Sequence, residues 1–266
     1  MSKHRAGFVN IVGKPNVGKS PLMNALVGER VSIITSKAQT TRHRIMGIVN
    51  GTLDEGDEFQ IVYSDTPGML KPEYALHQSM MRFVDTALED ADVILFVTVL
   101  FEKKDDEVTA LQKLAKTDVP VILVLNKIDL AKGTQAQDKL AYWQEIVQPQ
   151  EAIMVSALEA LNVEAVFQAI VRNLPEHPPY FPKDELTDKP ERFFAAEIVR
   201  EKIFLNYKQE VPYSSEVVVT EFQEEEAIIR IRCEIYVERQ SQKGILIGKK
   251  GEALKKVGIQ ARQDME

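Results

Sequence analysis

The sequence predicts an α/β fold, a mainly parallel six-stranded sheet flanked by helices, followed by a smaller α+β unit. Three observations predict it. Up to Asn173, short apolar runs alternate with stretches of helical spacing, as in a sheet whose strands are joined by crossover helices. Pro175, Pro178, Pro179, Pro182 and Pro190 then crowd into residues 174–192, a stiff connector that marks a domain boundary. Beyond it, a helical stretch and two strand-like runs lead to a Gly-x-x-Gly ahead of a final helix. The expected division is 1–174, linker 175–192, and 193–266.

Composition bounds the function. With 266 residues, 44% hydrophobic and 27% charged, the chain is long enough for one large domain or two ordinary ones and can bury a real core. A single cysteine, Cys233, excludes an internal disulfide framework and fits a reducing compartment. No apolar run approaches the ~20 residues of a spanning helix. The basic start, Met1–Arg5, has no signal-type apolar segment behind it, so the expectation is cytoplasmic. The net charge of −7 argues against nonspecific nucleic-acid binding by the chain as a whole, though not against a local basic patch.

In chain order, the expected strands are Phe8–Val12, Ile45–Val49, Phe59–Ser64, Val93–Val97, Val121–Leu125 and Ala152–Val155. The helices between and after them are Pro21–Val27, Leu76–Leu88, Asp105–Ala115, Ala136–Ile146 and Val163–Asn173. Asp54-Glu55-Gly56-Asp57 reads as the turn of an antiparallel hairpin between the second and third strands. Sheets of this kind bind ligands beyond the carboxyl ends of their strands.

The motifs sit at those ends. Gly13-Lys14-Pro15-Asn16-Val17-Gly18-Lys19-Ser20 reads G-x-x-x-x-G-K-S between a strand and a helix. Its glycines let backbone N–H groups converge on a phosphate, the helix N-terminus adds positive potential, Lys19 reaches the outer phosphates, and Ser20 can ligate Mg²⁺. Asp65-Thr66-Pro67-Gly68 follows the third strand, placing a carboxylate for Mg²⁺ and the Gly68 N–H for a terminal phosphate; Met69 comes next. Asn126-Lys127-Ile128-Asp129 follows the fifth strand. A carboxylate at Asp129 accepts two N–H bonds from guanine that adenine cannot offer, the Lys127 stem covers the base, and Asn126 can tie the base loop to the phosphate loop. Ser156-Ala157-Leu158 ends the sixth strand, where a backbone N–H can meet the guanine oxygen. In Gln39-Thr40-Thr41-Arg42-His43, a polar stretch suited to a mobile switch, Thr41 is the favoured Mg²⁺ and γ-phosphate ligand, with Thr40 the rival. Lys19, Thr41 and Gly68 are the catalytic candidates; Ser20, Thr41 and Asp65 are the metal candidates.

In the second unit the helix is expected over Ala195–Leu205 and the strands over Glu216–Phe222 and Ala227–Glu238, joined by Gln223–Glu226. Ile229, Ile231, Cys233, Ile235 and Val237 alternate onto one face, which makes Cys233 a small packing residue rather than a reactive thiol. Gly248-Lys249-Lys250-Gly251 lets backbone N–H groups approach a nucleic-acid backbone. From Arg239 to Glu266 seven Lys or Arg face three acids, a basic segment in an acidic chain.

The nucleotide motifs match the translation-factor-like branch of P-loop GTPases. Together with Lys37–Ile45 (K-A-Q-T-T-R-H-R-I) and the Gly-x-x-Gly, they make nearly the whole chain similar to the bacterial Era family. The resemblance implies a P-loop GTPase fold with a C-terminal KH-like domain, GTP and GDP as ligands and slow GTP hydrolysis. It also implies binding of the 3′ region of small-subunit ribosomal RNA in small-subunit assembly. Peripheral membrane association occurs in that family, but no amphipathic anchor stands out here, and the reading is of a monomer. Asn16 matches a position that binds K⁺ in related GTPases, and Met69 matches the family's apolar residue where other GTPases place a water-orienting Gln. Two departures stand out. Pro21 replaces the family's Thr, whose N–H donates to the α-phosphate. The family's KH pattern also continues into another strand and helix past the point where this chain stops, Glu266, so the expectation is a KH sheet short of its last strand. The competing readings are an RNA-binding scaffold with little turnover, impaired at Pro21, and another GTPase of the same branch.

Overall fold

A computed structural model describes residues 3–35, 37, 40–54, 56–69, 75–102, 114 and 117–266, with Ala75 and Leu76 described in backbone only. By its contacts the chain forms two compact units, residues 1–32 with 41–188, and residues 33–40 with 189–266.

The first unit is built on a six-stranded sheet: β1 His4–Val12, β2 Ile45–Thr52, β3 Glu58–Asp65, β4 Val93–Val99, β5 Val121–Asn126 and β6 Glu151–Met154. Their order is β2-β3-β1-β4-β5-β6, and only β2 runs antiparallel, pairing with β3 from Ile45↔Asp65 to Thr52↔Glu58. Central strands of a parallel sheet are covered on both faces, so they carry continuous apolar runs rather than alternation. β5 is buried along its whole length and β4 along all but its last residue, whereas the edge strand β6 is half-buried throughout. The helices are α1 Lys19–Val27, α2 Ala75–Glu89, α3 Gln135–Val147 and α4 Val163–Asn173. Phe96 of β4 meets Trp143 of α3 edge to face at 5.4 Å in the core between sheet and helices. The helix expected over Asp105–Ala115 lies outside the described residues, Leu114 apart.

The proline-rich stretch lies against this unit. Buried Gln60 accepts from the N–H groups of Tyr180 and Phe181 and donates to the Phe181 carbonyl at 2.8 Å. The Ile48 N–H on the outer edge of β2 donates to Leu186 O. An edge strand's free N–H row is thereby covered.

The second unit contains α5 Glu191–Asn206, the hairpin β7 Ser215–Glu225 and β8 Ile228–Val237, α6 Gln240–Ile247 and α7 Glu252–Met265. Ile203, Tyr207, Val211, Val217, Leu246, Val257 and Ala261 form its core. Ile231, Cys233, Ile235 and Val237 alternate onto a half-buried face as expected, while Ile229, near the hairpin tip, is exposed. The strands run past the expected Gln223–Glu226 connection and turn at Glu226-Ala227. Residues 33–40, which follow α1 in sequence, also join this unit: Ile34 N–H donates to Glu201, and the Lys37 ammonium donates to the Phe204 and Tyr207 carbonyls at the end of α5.

Candidate functional site

β1 delivers the chain into the phosphate loop at Gly13, and α1 carries it away. Gly18 makes that turn in the left-handed region (φ 94°), and a Cβ there would sit 2.3 Å from Asn126 Nδ2, so only glycine fits. The Lys19 ammonium folds back over the loop and donates to the Gly13 and Lys14 carbonyls, 3.0 Å each. Burial pushes its pKa down to about 8, with the Asp65 and Glu102 carboxylates opposing the shift. A buried cation at the start of a helix suits a polyanion.

Three oxygen groups converge beside it. Ser20 Oγ donates to Asp65 Oδ2 at 2.6 Å; Thr41 Oγ1 lies 3.2 Å from Ser20 Oγ and 3.4 Å from Asp65 Oδ2. Asp65 is fully buried, and its Oδ1 has no hydrogen-bond partner among the described residues. Burial raises its pKa, opposed by the Lys19 charge and the Ser20 hydroxyl. A buried carboxylate with an unsatisfied oxygen and two hydroxyls is a hard-cation ligand set of the kind that leaves room for phosphate oxygens. Among the described residues no cluster of three or more His, Cys, Asp or Glu could hold a metal ion. Thr40 is not part of the set with Ser20, Thr41 and Asp65; its hydroxyl pairs with Thr35 and with the Lys37 carbonyl.

The turn after β3 lies directly on the phosphate loop. Thr66 spends its hydroxyl on the Ile11 carbonyl at 2.8 Å, and the Met69 N–H donates to Gly13 O at 2.9 Å. A Cβ on Gly68 would come within 2.6 Å of the Pro15 nitrogen, so close approach requires the glycine. Pro67 is buried between Thr66 and Gly68, and Met69 is only 1% exposed, packed into the core. Its side chain cannot orient a water.

Asn126, at the end of β5, joins three loops. Its Nδ2 donates to Val17 O at 2.9 Å, and its Oδ1 accepts from the N–H groups of Lys127 (2.8 Å) and Ala157 (3.0 Å). Lys127, at φ 61°, reaches back to the Asn16 carbonyl at 2.7 Å, and Asn16 is itself left-handed at φ 63°. Ser156 Oγ donates to Asp129 Oδ1 at 2.6 Å, fixing an otherwise exposed carboxylate. Ile128 N–H bonds Val155 O, and Leu158 is 81% exposed at the rim.

In the second unit, Gly248-Lys249-Lys250-Gly251 forms the turn between α6 and α7, with Gly248, Lys250 and Gly251 all at positive φ. Both lysines are exposed, beside exposed Ile245 and Ile247. The Tyr207 hydroxyl donates to the Leu246 carbonyl at 2.6 Å, anchoring the end of α6 two residues before the turn.

Sequence reasoning missed one charged group here. Glu102, just past the carboxyl end of β4, places its carboxylate 3.8 Å from the Lys14 ammonium. The rule that sites form at strand carboxyl ends points to this position. It was hidden by the run of acids and lysines that follows it in Lys103–Glu107.

Fold and site define a P-loop GTP-binding protein with a second, KH-type unit. The model of the 50S ribosome-binding GTPase family matches residues 8–127, and the KH domain model matches residues 210–266. GTPase Era of Geotalea daltonii is 46% identical over 263 residues, covering 98% of this chain and 87% of that protein. GTPase Era of Staphylococcus haemolyticus is 41% identical over 270 residues, covering 100% and 88%. Among solved structures, a variant of Aquifex aeolicus Era bound to GDP·AlF4⁻ superposes with a TM-score of 0.91 at 39% identity, covering 98% of this chain and 89% of that one. Era in complex with MgGDPNP and nucleotides 1506–1542 of 16S ribosomal RNA gives a TM-score of 0.89 at 40% identity, covering 99% and 89%. The chain belongs to the Era family of GTPases. No helix among its described residues is long and apolar enough to cross a membrane.

Proposed function

We propose that this GTPase is a switch that binds the 3′ region of small-subunit ribosomal RNA and assists assembly of the small ribosomal subunit. Residues 1–174 hold the nucleotide, and 193–266 hold the RNA. The observation that carries the nucleotide part is Asn126, whose amide bonds the phosphate loop through Val17 and the Ser156–Leu158 loop through Ala157. The RNA part is supported by the exposed, lysine-bearing Gly248–Gly251 turn and by the solved complex of an Era protein with 16S ribosomal RNA.

In this reading Gly13–Pro21 and Asp65–Met69 surround the phosphates, and Asn126–Asp129 with Ser156–Leu158 hold guanine. Ser20, Thr41 and Asp65 would hold Mg²⁺, which an Era relative carries with GDPNP; when bound it neutralises charge on the outer phosphate oxygens. Lys19 supplies positive charge to the same oxygens, and the Gly68 N–H faces the terminal phosphate. The buried Met69 leaves water placement to backbone groups, so turnover is slow. Asn16, exposed on the loop, would hold K⁺ in this reading. Hydrolysis is therefore faster in KCl than in NaCl of equal strength, and equal rates in the two salts refute that assignment.

Base choice is tested by Asp129→Asn. A carboxamide offers one acceptor and one donor where guanine needs two acceptors. GTP affinity falls by about 10²-fold or more, while xanthosine triphosphate, with a carbonyl in place of the amine, binds better than to the parent chain. Retained GTP affinity contradicts the site.

A further inference from the structure

We propose that Glu102 is an electrostatic counterweight in the nucleotide site, a carboxylate fixed beside the phosphate loop that holds guanine-nucleotide affinity down and speeds release. The inference rests on the reading that the loop binds GTP and GDP.

The geometry is that of a held charge. β4 lies next to β1, and Glu102 follows its carboxyl end just as the phosphate loop follows that of β1. Thr98, fully buried in β4, donates its hydroxyl to Glu102 Oε2 at 2.8 Å and fixes the rotamer. The other oxygen, Oε1, faces Lys14 Nζ at 3.8 Å, and the Glu102 side chain is only 6% exposed. It also acts on the Lys19 ammonium through space.

Stability alone is a poor reason for such a group. Burying a carboxylate is costly unless close, charged partners offset it, and the 3.8 Å to Lys14 is beyond a hydrogen bond. Burial accordingly pushes the Glu102 pKa up, with the Thr98 bond and the Lys14 charge opposing. Toward a polyphosphate the same group is a like charge in a poorly screened place, and it offsets part of the positive charge that Lys14 and Lys19 present. A switch must release its product, and excess affinity for GDP would stall the cycle. A carboxylate in this position limits that affinity without touching the ligand.

The test is Glu102→Gln, which keeps the shape and an acceptor for Thr98 but removes the charge. Dissociation constants and GDP release rates are measured with fluorescent GDP and a non-hydrolysable GTP analogue, alongside the parent chain. The expected result is affinity about 5- to 50-fold tighter for both nucleotides, carried by slower release. A merely structural role gives the opposite sign. Unchanged or weaker affinity in folded Glu102→Gln overturns the proposal. Thr98→Val, which frees the carboxylate to turn away, shifts affinity in the same direction by a smaller factor. It decides the matter if thermal melting shows Glu102→Gln to be unfolded, and no tightening there overturns the proposal too. If the parent chain binds neither nucleotide, the underlying reading fails instead, so the two failures are distinct.

Discussion

Pro21 sits in the first turn of α1 and lacks a backbone N–H, where the resemblance implies a Thr whose N–H would meet the α-phosphate. The fold tolerates it for a visible reason. A proline clashes with, and cannot bond, the carbonyl four residues back. Here that carbonyl, on Val17, is taken by Asn126, and the first helical bond runs from Leu22 N–H to Gly18 O. The loss therefore falls on the ligand. Pro21→Thr tightens GDP and GTP binding by about 1.5–3 kcal/mol, the worth of one charge-assisted bond, with little change in melting temperature; unchanged affinity refutes it. Cys233 makes a second residue-scale prediction. It is half-buried on the inner face of β8, and burial raises its thiol pKa. Since the thiolate is the nucleophile, its alkylation at pH 8 lags well behind that of the denatured chain. Equal rates would put the thiol in solvent. At this scale the candidate nucleotide groups were legible because their chemistry is tied to spacing. It left Thr40 and Thr41 open, because adjacent residues of one type differ only in where the backbone aims them. Position in space separates them: Thr41 joins Ser20 and Asp65, while Thr40 pairs with Thr35.

Among elements, all six strands of the first sheet were legible to within a few residues, the central parallel ones because strands covered on both faces must be unbroken apolar runs bounded by polar turns. The hairpin of the second unit was harder to bound. Its tip residues Glu221–Ile229 are largely exposed, so no buried face distinguishes strand from turn, and the turn lies at Glu226-Ala227 rather than across Gln223–Glu226. α6 escaped notice as a helix because Ile245-Leu246-Ile247 reads as an unbroken apolar run, of which only Leu246 is buried, and because Gly244 lies inside the helix. That helix positions the Gly248–Gly251 turn, held from α5's end by the Tyr207–Leu246 bond. Two predictions belong here. Replacing Lys249 and Lys250 by alanine weakens RNA binding and lowers the salt slope of log K by about 1 per lysine; an unchanged slope removes the turn from the interface. Tyr207→Phe, which keeps the ring and drops the hydroxyl, weakens RNA binding with guanine-nucleotide affinity intact. A variant that binds RNA as the parent does shows that the anchor is idle.

For the molecule as a whole, the two-part plan was readable from the proline cluster and the change of pattern after it, but the role of residues 33–40 was not. They lie in sequence beside the nucleotide motifs, yet by contacts they belong with the second unit, through Ile34 to Glu201 and Lys37 to the end of α5. Sequence distance carries no signal of such a pairing. Thr40 falls in one unit and its neighbour Thr41, beside Ser20 and Asp65, in the other. If nucleotide and RNA share a coupling free energy, each must alter the other's affinity by the same factor. The most direct test titrates the chain with RNA spanning the 3′ end of small-subunit ribosomal RNA in the presence of GDP, a non-hydrolysable GTP analogue, or ATP, and repeats the nucleotide titrations with and without that RNA. The account predicts binding of both guanine nucleotides but not ATP, RNA affinity that differs several-fold between the GTP-analogue and GDP forms, and the same factor returned in the nucleotide titrations. Equal RNA affinity in both forms, or ATP binding as tight as GTP, would contradict it.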